Sequence, residues 1–208
     1  MLISGIIGEK ETAKTSNLIS SILSKTGKKI SVVELNNLSL LDFQRIKTYI
    51  EELINNNIDI LVIRINYADL DNSILDYFKF DVVIYTHNFK DLDNKNLSAS
   101  LEAKKRVLSL MNENGVSIAS FDDIELVSFI SEMKKCMLTY GFNSKASITA
   151  SSTGDMISNS NFICCLQKTI FIKKGMHLGP QEFQIKINHE GMDVYNILAA
   201  VAFVIVNQ

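Results

Sequence analysis

The chain has 208 residues, a mass of 23.3 kDa, 47% apolar content and a formal net charge of −2. That is enough apolar material for the core of one large domain, and no basic stripe or aromatic-interleaved basic patch points to nucleic acid. No basic leader with an apolar stretch and small-residue cleavage site opens the chain, and its longest apolar run, 197–206, is about half of the ~20 residues a membrane span needs, so the reading is a cytoplasmic protein with no membrane partner.

Residues 2–7 form an apolar run that predicts a first strand, 8–16 a polar loop, and 17–23 an amphipathic helix. A β-branched strand is expected at 29–35. A helix is expected at 42–55, with Phe43, Ile46, Ile50 and Leu53 at helical spacing and Asn55-Asn56-Asn57 closing it. Strands at 59–65 and 80–86 flank a short helix at 72–78. Helix 98–111, closed by Asn114-Gly115, leads to strand 116–119, helix 123–134 and strand 137–142. Continuous apolar strands separated by helices imply a parallel sheet covered on both faces, with any ligand at the carboxyl ends of the strands. Beyond residue 143 the pattern changes. Segments 146–150, 161–172 and 182–188 read as antiparallel strands joined by turns at Thr153-Gly154, Lys174-Gly175 and Gly179-Pro180. Val194–Val206 reads as a helix that is apolar nearly all round and therefore buried. The expected fold is one α/β unit over 1–208: a mostly parallel P-loop-type core at 1–143 with helices on both faces, a small antiparallel β extension at 144–192, and a C-terminal helix at 193–208 that returns to the core.

The polar loop carries the clearest chemistry. Gly8-x4-Ala13-Lys14-Thr15 follows the P-loop pattern with one change. In such a loop backbone N–H groups cradle phosphates, Lys14 neutralises the outer phosphates, and the hydroxyl of Thr15, followed by Ser16, reaches Mg²⁺. Ala13 stands where glycine lets the backbone approach the phosphates, and alanine there costs about 1 kcal/mol if positive φ is required. The same letters also read as a polar strand-to-helix turn without a ligand. Cys136, Cys164 and Cys165 form no metal-spaced pair, since neighbours on a strand point to opposite faces, and all three read as packed thiols. His177 and His189 read as surface residues with no zinc spacing.

Several separated segments, in order, resemble the central ATPase domain of the Mur ligase family, whose members and relatives (folylpolyglutamate, cyanophycin and poly-γ-glutamate synthetases) join an amine to a carboxylate using ATP. Gly5-Ile6-Ile7-Gly8 through Lys14-Thr15-Ser16 resembles the family's Gly-x-Thr-Gly-Thr-x-Gly-Lys-Thr loop with about two residues inserted. Strand 80–86 with Asp91-Leu92-Asp93 resembles the strand and Asp-His-Leu-Asp turn. The segment 101–108 resembles the helix whose lysine is carbamylated in several members, placing Lys105 at that lysine. Ser120-Phe121-Asp122-Asp123 resembles Asn-Ala-Asp-Asp, and Leu138-Thr139-Tyr140-Gly141-Phe142 the Thr-Tyr-Gly that follows. The run from Gly191 to Ala200 resembles Gly-x-His-Asn-Val-Tyr-Asn-x-Leu-Ala-Ala. The resemblance implies ATP and Mg²⁺ as cofactors. It places Gly8, Ala13, Lys14, Thr15 and Ser16 at the phosphates, Thr15 and Asp91 at the metal, and Asp122, Asp123 and Asn196 near the nucleoside, with Lys14 and Lys105 as the catalytic positions.

Departures from the pattern are as informative. Arg64 stands where the family has a Mg²⁺-holding glutamate, and a cation there inverts the local charge. It either neutralises phosphate itself or pairs with Asp91 or Asp93. The histidine of the Asp-His-Leu-Asp turn has no counterpart between Asp91 and Leu92, and His87 lies four residues before Asp91. Lys105 beside Lys104 and Arg106 also reads as a solvated helix lysine, Asp122 and Asp123 as a helix N-cap, and Asn196 as a satisfied polar group on a buried helix. Only the central domain is resembled, with no counterpart of the family's N-terminal nucleotide-sugar domain or C-terminal amino-acid domain. Two functions follow: an ATP- or ADP-binding domain with little or no ligase activity of its own, acting with a partner protein that supplies the missing domains, or a pseudoenzyme that keeps the scaffold for interaction.

Overall fold

The computed structural model describes residues 1–86, 104–151, 161–171, 177–186 and 192–207. Strands β1 (Leu2–Ile7), β2 (Ile30–Glu34), β3 (Ile60–Ile65), β4 (Phe80–Tyr85), β5 (Met111–Ser120), β6 (Cys136–Tyr140), β7 (Ile148–Ala150), β8 (Asn161–Leu166) and β11 (Gln181–Lys186) form one sheet in the order β11-β8-β7-β6-β5-β4-β1-β3-β2. Every pair from β2 to β7 is parallel, and only β7/β8 and β8/β11 are antiparallel. β9 (Ile170–Phe171) and β10 (His177–Leu178) make a separate antiparallel ribbon.

Both faces of the sheet are covered, which is why β1, β3 and β4 are continuous apolar runs rather than alternating ones. One face sets Ile6, Val62, Ile84, Ile118 and Leu138 under α1 (Glu11–Ser24) and α6 (Val194–Val206). The other sets Ile7, Leu61, Ile63, Val83 and Tyr85 against residues of α2 (Leu35–Leu38), α3 (Phe43–Asn55), the helical residues 104–109 (α4) and α5 (Ile124–Glu132). α6 has eleven buried residues among its 13, as expected of a helix apolar all round. At about 20 Å it is too short to span a bilayer, and no helix among the described residues is long and apolar enough to do so.

Four expectations need correction. Residues 8–16 are not a loop: α1 begins at Glu11, leaving only Gly8-Glu9-Lys10 between β1 and the helix. Glu11, Ala13 and Lys14 are strong helix formers, and no glycine or proline intervenes before Gly27. Asn114-Gly115 does not close a helix, because β5 runs through both residues. The β4/β5 register shifts between Phe80 and Val82, and Gly115 sits in that irregularity, where a Cβ would lie 3.1 Å from the Phe80 carbonyl oxygen. Asn112 anchors the bulge by donating to Asp81 Oδ1 at 2.9 Å. The antiparallel extension expected after residue 143 is present at β8 and β11, but it continues the main sheet instead of forming an appended layer, and its first strand is parallel to the core. β7 pairs parallel to β6, with Thr139 and Ser147 hydrogen-bonded across the fold-back at 3.0 and 3.1 Å, and Phe162, Cys164 and Leu166 of β8 extend the main core. Segment 161–172 breaks into β8 and β9 around Lys168, whose Nζ donates to the Lys145 carbonyl at 2.5 Å.

The cysteines divide. Cys164 is buried and Cys165 half-buried on opposite faces of β8, but Cys136 is exposed at the start of β6 rather than packed. Burial, with a smaller contribution from Cys165, pushes the Cys164 thiol up to about 12. At pH 8 only about one such thiol in ten thousand is then ionised, and the thiolate is the reactive species. Maleimide labelling of the native protein is expected to modify Cys136 first and to leave Cys164 untouched until denaturant is added, read by mass spectrometry of the peptides. Equal rates at the two thiols would contradict the placement of β8 in the core.

Candidate functional site

The carboxyl ends of β1, β3, β4, β5 and β6 share one edge, and Gly8, Arg64, Asp122 and Asp123 fall at or next to these ends. At β1 the chain turns sharply into α1. Gly8 N–H donates to the Ile65 carbonyl at 3.1 Å, and Thr86 donates to the Ile7 carbonyl through both its N–H and its hydroxyl, each at 2.9 Å. The turn closes on itself: Thr12 N–H and Thr12 Oγ1 both donate to the Glu9 carbonyl, at 3.1 and 2.7 Å. Glu11 lies in the first turn of α1 and complements the positive end of the helix dipole, with Glu9 beside it.

Because α1 starts at Glu11, the Ala13-Lys14-Thr15-Ser16 stretch lies within the helix instead of at its mouth. Ala13 is half-buried and Lys14 exposed. Thr15 and Ser16 have no exposed surface. Thr15 Oγ1 donates to Asn196 Oδ1 of α6 at 3.2 Å, and Ser16 Oγ donates back to the Ala13 carbonyl at 3.0 Å. Asn196 is buried, and its Nδ2 has no hydrogen-bond partner among the described residues. The Thr15–Asn196 bond ties α1 to α6 across 181 residues of sequence.

Arg64, next to last in β3, lies on the same face as Ile6, its register partner on β1. Its Nη2 donates to Glu34 Oε1 in an ion pair between register partners on β3 and β2. Asp91 and Asp93, the partners expected for it, lie outside the described residues, as do His87 and His189. His177 is exposed on β10. Lys105 is half-buried rather than solvated, with Nζ 5.1 Å from the centroid of the Phe129 ring, a cation–π contact within the fold.

Asp122 and Asp123 are engaged within the fold. Asp122 Oδ2 accepts from Tyr195 OH and from Phe142 N–H, both at 3.0 Å. Burial, then the hydrogen bond and charge of Asp122, push the Tyr195 phenol above its ordinary value. Gly141 is required beside this junction: its φ is +140°, and a Cβ there would fall 2.4 Å from Asp122 Oδ2. Asp123 caps α5 by accepting from Leu126 N–H at 3.1 Å. Sequence reasoning missed Glu34 and gave no role to Thr86 and Tyr195. Both of the latter lie inside quoted motifs, 80–86 and 191–200, whereas Glu34 becomes visible only through parallel register.

A magnesium-bound triphosphate fits this donor set poorly. The hydroxyl expected on the metal is buried and already donating, the helix mouth is flanked by two glutamates, and the β3 position carries a cation. Among the described residues no group of three or more His, Cys, Asp or Glu side chains is placed to hold a metal ion.

Known proteins place this architecture. The Mur ligase middle domain matches the chain over residues 13–204. No curated protein matches it in sequence. Among solved structures, a UDP-N-acetylmuramoyl-L-alanyl-D-glutamate–2,6-diaminopimelate ligase superposes with a TM-score of 0.72 at 15% identity, covering 100% of this chain and 43% of that one. The MurF ligase from Thermotoga maritima, in complex with ADP, gives 0.61 at 14% identity, covering 98% of this chain and 44% of that one. A bifunctional folylpolyglutamate synthase/dihydrofolate synthase with Mn, AMPPNP and L-glutamate bound gives 0.54 at 10% identity, covering 99% and 53%. At these identities the likeness is one of fold, and the chain spans about half the length of those proteins or less. The match over 13–204 shows that this chain belongs to the Mur ligase family, as a middle domain.

Proposed function

We propose that this chain is a non-catalytic Mur-ligase middle domain, a scaffold that has kept the family's sheet and helices without the magnesium chemistry of amide ligation. One observation carries the reading: Thr15, the expected metal ligand, is buried and donates to Asn196 instead of presenting its hydroxyl at the sheet edge. A hydroxyl held this way makes a helix-to-helix fastening. Lys105 on Phe129, and Asp122 and Asp123 in internal hydrogen bonds, agree with it. On this reading any peptidoglycan-type ligation the chain takes part in depends on a protein partner that brings the reacting groups and the metal site, since differential stabilisation of a transition state needs them held in place.

A second reading keeps nucleotide without ligation. It is favoured by Lys14, exposed one turn into α1, and by the Asn196 Nδ2 donor, buried beside Thr15 without a partner among the described residues. ATP or ADP would then meet Lys14 through its phosphates. Titration calorimetry of the chain with ATP, with and without Mg²⁺ and alongside Lys14→Ala, separates the readings. No heat at millimolar ATP is the expected result for the scaffold. Micromolar binding that Lys14→Ala abolishes and Mg²⁺ does not alter would establish the second reading. Tight binding that requires Mg²⁺, with ATP turnover, would overturn both.

A further inference from the structure

We propose that the Arg64–Glu34 pair is a built-in replacement for a divalent cation at the carboxyl end of β3, so that this edge is held closed without metal. Glu34 ends β2 and Arg64 is next to last in the parallel β3; they are register partners, so their side chains leave the sheet on the same face. The geometry transposes a carboxylate–metal contact. The positive charge sits covalently on β3, and the carboxylate has moved one strand over to β2. Glu34 immediately precedes α2 but makes no capping hydrogen bond to it, which leaves its carboxylate for Arg64. The Arg64 side chain is 22% exposed against 49% for Glu34, so the guanidinium is the more enclosed member, and its Nε is buried with no partner among the described residues. A divalent cation approaching Glu34 meets the positive charge of the Arg64 guanidinium already paired with it.

The pair is independent of whether nucleotide binds, and its test does not use nucleotide. Mn²⁺ serves as the probe, with free Mn²⁺ followed by electron paramagnetic resonance and stability followed by thermal denaturation in EDTA or millimolar Mn²⁺. Wild type is expected to bind no Mn²⁺ and to melt at the same temperature in both conditions. Arg64→Glu places two carboxylates at register-matched positions, and it is expected to melt lower in EDTA, to bind Mn²⁺, and to recover stability as it does so. Glu34→Gln is expected to melt lower with no response to Mn²⁺. If Arg64→Glu cannot be purified folded, Arg64→Gln, which keeps Glu34 and removes the cation, takes its place with the same expected recovery. Stoichiometric Mn²⁺ binding by wild type overturns the proposal, as does a folded Arg64 variant that ignores Mn²⁺.

Discussion

Phe203→Ala is expected to lower the unfolding free energy by about 3–5 kcal/mol, the range for truncating a buried aromatic side chain. Phe203 has no exposed surface and sits in the part of α6 where every neighbour along the helix is also buried. It belongs to the core that joins α6 to α1 and to the sheet face formed by β4, β5, β6 and β7. A helix packed on all sides cannot shift to fill the gap without disturbing a second contact, so the cavity term adds to the lost transfer free energy. Domains of this size are stable by about 5–15 kcal/mol, so the substitution removes a large fraction of the total. Urea denaturation is expected to show a lower midpoint with an unchanged slope. A loss under about 1 kcal/mol would mean that α6 docks loosely, and the Thr15–Asn196 bond would lose its meaning with it.

The fold was legible wherever burial on both faces removed the need for alternation. β1, β3 and β4 are runs of Ile, Val and Leu, and α6 is a helix with no polar stripe, so composition alone assigned them. Of the two aspartates read as an N-cap, Asp123 caps α5, and Asp42 and Asn72, the first residues of the expected helices 42–55 and 72–78, cap theirs in the same way. The site was harder to read for a physical reason. Lys14 and Thr15 are the same letters whether they open a helix or lie one turn inside it, and the difference is set by where α1 nucleates. Glu11 to Ser24 continues helical because nothing in it stops a helix, which swallows the expected loop. Partners 30 or 181 residues apart, Arg64 with Glu34 and Thr15 with Asn196, depend on strand register and helix packing that no local pattern encodes. Gly115 looked like a helix stop because Asn-Gly often is one, and the bulge against Phe80 overrode it.

Gly8→Ala tests how tightly the β1–α1 turn is closed. A Cβ at Gly8 would lie 1.8 Å from Thr86 Oγ1, 3.2 Å from Thr86 Cβ and 3.4 Å from Thr12 Cγ2. Thr86 is buried and cannot simply swing away, because its hydroxyl and N–H both donate to the Ile7 carbonyl at the end of β1. Relief therefore requires breaking that bond or moving β4 against β1, and the substitution is expected to cost about 3 kcal/mol, the upper end for overpacking. Thr86→Ala alone is expected to cost about 1 kcal/mol for the lost hydroxyl bond. Combined, the two should be less damaging than Gly8→Ala by itself, giving a coupling on the order of 2 kcal/mol in a double-mutant cycle by urea denaturation. The result bears on function through the space involved. A glycine that holds a phosphate cradle keeps room for a ligand, and alanine there would impair binding with little loss of stability. A glycine pressed against Thr86 keeps room for a threonine, and its loss is felt by the fold whether or not any nucleotide is present. Full stability in Gly8→Ala would show the turn to be open and return the helix mouth to candidacy as an anion site.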